Sequence, residues 1–203
     1  MPSLLVVKVS PRGPYSVSGQ LAERFVQNWQ SAHNGDVVVR DLSAIDVPYI
    51  SLPWIGGAFT PPERHSPEMT DAIRISDEFV AELKAADEIL IATPMYNFSI
   101  PAVLKSWVDH VLRAGITFSA KYEGLVTGKK ATVIIASGGD FSPGAPFESA
   151  NVASAYMRQV LGFIGITDVN IVLAGSTLAI DQGKTTIDEL ATRLEPACQA
   201  AAS

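Results

Sequence analysis

Five short apolar runs, at 4–9, 37–40, 89–93, 131–136 and 169–173, alternate with stretches whose apolar positions recur every three or four residues, at 18–32, 67–85, 102–113, 149–163 and 185–200. The runs are continuous and rich in β-branched residues, which is the pattern of strands buried on both faces. Val103, Leu104, Trp107, Val108, Val111 and Leu112 show the helical period clearly, with Pro101 before the first turn and Gly115 beyond the last. Strand and helix in alternation predict a parallel sheet covered on both faces. With right-handed crossovers this is a doubly wound α/β three-layer sandwich of five parallel strands in the order 2-1-3-4-5. At 203 residues the chain is read as one unit, 1–203.

Two segments are longer than ordinary connections. Residues 42–66 hold Pro48, Pro53, Pro61 and Pro62 together with Trp54 and Phe59, and are read as a loop that covers a cleft or meets a partner. Residues 115–128 carry Phe118 and Tyr122 and form the second.

Open parallel sheets bind ligands beyond the carboxyl ends of their strands, so the chemistry is sought there. The third run passes into Ala92-Thr93-Pro94-Met95-Tyr96-Asn97-Phe98-Ser99-Ile100-Pro101. Pro94 has no N–H to continue a ladder, and the next residues put an aromatic, an amide and free backbone groups at the sheet mouth. From the residues alone, an ordinary tight connection accounts for this stretch equally well.

The first run passes into Ser10-Pro11-Arg12-Gly13-Pro14-Tyr15-Ser16-Val17-Ser18, directly ahead of a helix. Hydroxyls and free N–H groups at a helix start suit a phosphate. Capping explains one of these serines but not three. The loop lacks Gly-x-Gly-x-x-Gly and the lysine of nucleotide hydrolases, so a mononucleotide phosphate suits it better than a dinucleotide. After the fourth run, Ala136-Ser137-Gly138-Gly139 permits close approach of a ligand to the backbone, although a plain turn explains it too. In the order 2-1-3-4-5 all three loops meet at one sheet edge, which makes them a candidate site.

Composition removes several function classes. A net charge of −6 and an isoelectric point near 5.0 disfavour nucleic acid and anionic membranes as partners. No apolar run reaches membrane-spanning length and no export signal is read, so the chain is expected in the cytoplasm. The single cysteine, Cys198, fits a reducing compartment and a packing role. His33, His65 and His110 have no zinc-site spacing, and no Gly-x-Ser-x-Gly elbow is present; no metal is expected.

Four stretches carry a resemblance that spans essentially the whole chain. They are Pro94-Met95-Tyr96-Asn97-Phe98, Arg113-Ala114-Gly115-Ile116-Thr117-Phe118, Gly124-Leu125-Val126-Thr127-Gly128-Lys129-Lys130 and Leu161-Gly162-Phe163-Ile164-Gly165-Ile166-Thr167-Asp168-Val169. In these the chain resembles the FMN-dependent NADH:quinone oxidoreductases, also called FMN-dependent NADH-azoreductases, of the flavodoxin-like superfamily. The resemblance implies tightly bound FMN, with the phosphate at Ser10, Ser16, Val17 and Ser18. The flavin ring would lie along Pro94, Met95, Tyr96, Asn97 and Phe98, with Asn97 at its polar edge, and Ala136, Ser137, Gly138 and Gly139 would flank it. Family members often read Ser-Arg-Gly-Gly at 136–139, so this chain lacks a guanidinium there, and its 118–124 loop is shorter than in some relatives.

The resemblance further implies a homodimer with two flavin sites, each completed by the partner subunit. NADH would deliver hydride to flavin N5, and a quinone or azo compound would then take two electrons in a ping-pong cycle. No catalytic side chain is needed. Phe98, Phe118, Tyr122 and Phe163 are the candidates for the apolar substrate cleft, through offset stacking on flat acceptors; core packing is the other reading of Phe163. The alternative is a flavodoxin-like one-electron carrier or binding module, separated by NADH consumption with a quinone and no added reductase. A cofactor-free receiver domain ranks last, because Ser10 stands where that domain needs a carboxylate.

Overall fold

Strands form where the doubly apolar runs place them: β1 Ser3–Lys8, β2 Asp36–Asp41, β3 Glu88–Pro94, β4 Lys130–Ala136 and β5 Asp168–Ala174. All pair in parallel in the order β2-β1-β3-β4-β5. The computed structural model describes residues 1–202, with side-chain surroundings through Cys198. Ser203 of the expected 1–203 unit, and the side chains at 199–200 of the expected last helix, lie outside the described residues.

Successive strand residues point to opposite faces, so each run feeds two layers. Leu4 and Val6 pack with Leu21, Phe25 and Trp29 of α1 Val17–His33 and with Leu190 of α7 Ile187–Ala202. Leu5, Val7, Ile89 and Ile91 face the other way. They meet Phe79 and Leu83 of α3 Pro67–Ala85, Trp107 of α4 Ala102–Val111 and Met157 of α5 Val152–Phe163. This is the expected three-layer sandwich.

Two differences from the sequence reading have local causes. Residues 42–66 are not a plain loop, since they contain α2 Leu52–Phe59, lying on α3, and a short 3₁₀ turn at Pro62–Arg64. Pro53 sits in the first turn of α2, where proline's missing N–H costs nothing, and Ser51 Oγ accepts from Trp54 N–H as cap. A proline-dense stretch can therefore start a helix. A second unexpected piece, α6 Leu178–Asp181, follows β5.

His110 fastens the α2 segment to the core. It is fully buried on α4; its Nδ1 accepts from Trp54 Nε1–H at 3.0 Å, and its Nε2–H donates to the Pro48 carbonyl at 2.9 Å. Indole nitrogen only donates, so the ring is neutral with its proton on Nε2. Burial pushes the His110 pKa below its ordinary 6.5; the Pro48 carbonyl and Asp109 oppose the shift and Arg113 adds to it. The unfolded chain therefore binds the extra proton first. The stability from the neutral ring is complete above about pH 6.5 and declines as pH falls through that value. Urea midpoints should drop between pH 7 and 5.5 in the native protein and drop less in His110→Gln. Equal slopes in the two proteins would show that another group carries the effect.

Candidate functional site

The β1–α1, β3–α4 and β4–α5 connections all emerge at the carboxyl edge of the sheet, because the three strands are neighbours and parallel. Between them lies a cavity of about 170 Å³. Its first wall is Ser10, Ser16, Val17 and Ser18. Ser16 is the N-cap of α1: its Oγ accepts from Gly19 N–H at 3.0 Å, and its carbonyl accepts from Gln20 N–H at 2.9 Å. A helix leaves its first N–H groups without intrahelical carbonyls, and here those of Val17 and Ser18 stand at the mouth. Ser16 and Ser18 are 3% and 1% exposed, and their hydroxyls share a hydrogen bond of 3.2 Å.

The second wall is Pro94, Met95 and Tyr96. Pro94 is the last residue of β3, as its missing donor predicts, and the Met95 N–H reaches the Ala136 carbonyl at 2.7 Å. Tyr96 and Ser99 then exchange backbone hydrogen bonds of 2.9 and 3.1 Å around a two-residue turn. Asn97 and Phe98 in that turn both have positive φ, +49° and +72°. Such a pair costs about 1–3 kcal/mol per residue and persists only when its surroundings fix it. The fixing group is α5, whose first two N–H groups, of Val152 and Ala153, both donate to the Phe98 carbonyl at 3.1 Å. The turn thus holds the Asn97 amide and the half-exposed Phe98 ring at the rim rather than in the cavity.

Ala136 and Gly138 close the third side, while Ser137 and Gly139 do not line it. Ser137 Oγ–H donates to the Gly139 carbonyl at 2.9 Å, and the same carbonyl accepts from Ser176 N–H. These two residues shape the loop and tie it to the β5–α6 turn.

The structure also supplies a fourth side that sequence reasoning missed: Thr177, Leu178 and Asp181 of the β5–α6 region, with Arg12 opposite. Arg12 Nη2 lies 2.9 Å from Asp181 Oδ1, and Nη1 lies 3.4 Å from Oδ2. Hydrogen bonding to Asp181 raises the Arg12 pKa, and the guanidinium in return holds the Asp181 carboxyl below its usual range. The donor set of three hydroxyls, two helix-start N–H groups and one guanidinium fits a phosphate. The adjoining Met95–Phe98 rim fits a flat aromatic system.

Phe118, Tyr122 and Phe163 form a cluster of their own, with centroid distances of 4.9 Å for Phe118–Phe163 and 6.3 Å from Tyr122 to each of the others. Phe98 is not in it and meets Phe141 edge-on at 6.2 Å. The start of α5 abuts Phe98 and its end carries Phe163, so the 12-residue helix separates the two groups by about 17 Å. One chain therefore does not bring the four aromatics to a single cleft. Among the described residues no group of three or more metal-ligating side chains is placed to hold an ion, and no helix is long and apolar enough to cross a membrane.

Comparison with known proteins places the chain among characterised families. Residues 2–196 match the family model described as the flavodoxin-like fold. The chain is 46% identical over 203 residues, all of both proteins, to FMN-dependent NADH:quinone oxidoreductase 2 of Jannaschia sp. strain CCS1. It is 46% identical over 185 residues, 91% of this chain and 88% of the other, to FMN-dependent NADH:quinone oxidoreductase 8 of Burkholderia lata. The crystal structure of an azoreductase from Bacillus anthracis strain Sterne superposes with a TM-score of 0.86 at 30% identity, covering 100% of this chain and 99% of that one. The chain belongs to the flavodoxin-like family and, within it, to the proteins named FMN-dependent NADH:quinone oxidoreductase.

Proposed function

We propose that this chain is an FMN-dependent NADH:quinone oxidoreductase with azoreductase activity, acting as one FMN-binding domain over residues 1–203. The observation that carries the reading is the phosphate-suited donor set of Ser10, Ser16 and Ser18 opening onto the strained Met95–Phe98 rim. The relatives named for the same activity support it.

When bound, FMN supplies reversible two-electron hydride chemistry. The chain's own residues bind and orient. The serine hydroxyls and the N–H groups of Val17 and Ser18 would hold the phosphate, Met95 and Tyr96 would support the ring, and Asn97 would donate to its polar edge. The family resemblance implies that NADH and then the acceptor would approach over the same open rim in turn, in a ping-pong cycle.

The homodimer that the family resemblance implies is supported by the size of the cavity. At about 170 Å³ it is smaller than ligand pockets usually are, roughly 300–1,000 Å³. It takes the phosphate arm and leaves the ring on the rim, where one chain offers no second wall. The Phe118, Tyr122 and Phe163 cluster, with Tyr122 74% exposed, is an aromatic wall distant from its own chain's cleft. A second copy can use it. Place in the cytoplasm fits the free, buried Cys198.

The test is to purify the protein with added FMN, record its visible spectrum and mass by light scattering, and follow NADH oxidation with and without a benzoquinone. Bound flavin and quinone-dependent turnover by a dimer are expected. Bound flavin that NADH does not reduce would favour the one-electron carrier, and protein that retains no flavin overturns both. A mass of one chain in active, flavin-loaded protein overturns the shared site.

A further inference from the structure

Two charges face each other across the cleft. Among the residues lining it, Arg12 is the only cation and Asp181 the only anion. They come from opposite sides, one from the β1–α1 loop and one from α6, 169 positions along the chain. Their side chains are 47% and 45% exposed, so water screens the pair and its net contribution to stability is small. It is a contact that a better partner can replace.

A phosphate monoester is such a partner. It carries close to two negative charges and presents three acceptor oxygens, which suit the guanidinium fork at least as well as one carboxylate does. Once a phosphate sits among Ser10, Ser16 and Ser18, the Asp181 carboxylate becomes a like charge lining the same cavity.

Resting on the FMN reading above, we propose that Arg12 and Asp181 are a charge switch that selects the phosphorylated flavin: Asp181 pairs with Arg12, and Arg12 turns from it to a phosphate that enters the cleft. Asp181 is then a competitor that lowers affinity for FMN, and Arg12 the residue that favours FMN over riboflavin. The two members of one ion pair thus have effects of opposite sign. A pair that merely braced the two loops would give effects of the same sign, because removing either side breaks the brace.

Apoprotein titrated with FMN and, separately, with riboflavin, followed by flavin fluorescence, reads this directly. Arg12→Gln is expected to raise the Kd for FMN about tenfold or more, the scale of one lost charge-assisted hydrogen bond. Arg12→Lys, which keeps the charge, is expected to recover part of the loss. Asp181→Asn is expected to lower the Kd for FMN severalfold, and riboflavin binding should move in none of them. Weaker FMN binding in both Arg12→Gln and Asp181→Asn, or equal shifts for FMN and riboflavin, overturns the switch. Variants indistinguishable from a native protein that binds FMN also overturn it and leave the FMN reading intact, whereas native protein that binds no FMN overturns that reading.

Discussion

Replacing Ser16 and Ser18 together by alanine is expected to weaken FMN binding by about two to four orders of magnitude. Each hydroxyl facing a phosphate is a hydrogen bond to a charged group, about 1.5–3 kcal/mol, and about 1.4 kcal/mol is a factor of ten in affinity. The remaining helix dipole contributes only about 0.3–1 kcal/mol and does not compensate. Because Ser16 also caps α1 through Gly19 N–H, its loss costs about 1 kcal/mol of stability by itself. Ser18 caps no helix but shares its buried hydroxyl with Ser16 Oγ, so Ser18→Ala should lose affinity at a smaller cost in melting temperature than Ser16→Ala. A double variant whose Kd for FMN stays within threefold of native, with the cap loss visible in its melting curve, would remove both serines from the phosphate site.

The second large effect is structural. Alanine at Gly124 is expected to destabilise the protein by about 3 kcal/mol, at the upper end of what overpacking usually costs, lowering the melting temperature by about 6–12 °C. A Cβ at that position would lie 2.2 Å from Gly165 N, 2.4 Å from Gly165 Cα and 2.4 Å from the Ile164 carbonyl carbon, all backbone atoms that no rotamer change moves. Gly124 also bridges to Phe118, and two residues on Val126 N–H donates to the Ile164 carbonyl, so the strain falls on the loop that carries Tyr122. Gly162→Ala is the natural control. It lies inside α5 with nothing within 4 Å, and there alanine should leave stability unchanged or raise it. Equal melting temperatures for the Gly124 and Gly162 variants would refute the packing argument.

The sheet was legible because parallel strands buried on both faces read as unbroken apolar runs, and the order 2-1-3-4-5 is one of the two common doubly wound arrangements that right-handed crossovers allow. The β1–α1 loop was legible as a phosphate cradle because its hydroxyls are adjacent in sequence to a helix start. Other features were not local. Asp181 sits in a stretch with no motif of its own, and only the fold brings it to Arg12. The helix at Leu52–Phe59 was hidden by prolines that favour coil in general but suit a first turn. The Asn97-Phe98 turn was visible as a loop, but its positive φ values depend on α5 docking against the Phe98 carbonyl. Likewise, the distance between Phe98 and the Phe118 cluster is set by the length and direction of α5.

The position of β1 inside the sheet has a consequence for how the chain comes to be folded. β1 leaves the ribosome before the other strands of this sheet, yet it needs hydrogen bonds along both edges, and the neighbour on its inner side is β3. Their ends are tied by Ser3 and Asp87, 84 positions apart. Until β3 has been synthesised, an apolar strand of four fully buried residues has a partner on only one side. Closing so long a loop costs entropy before any contact rewards it, so pairing of β1 with β3 is a slow, late event. The nascent amino-terminal half is therefore the interval in this protein's life when its sheet edge is most open to other chains.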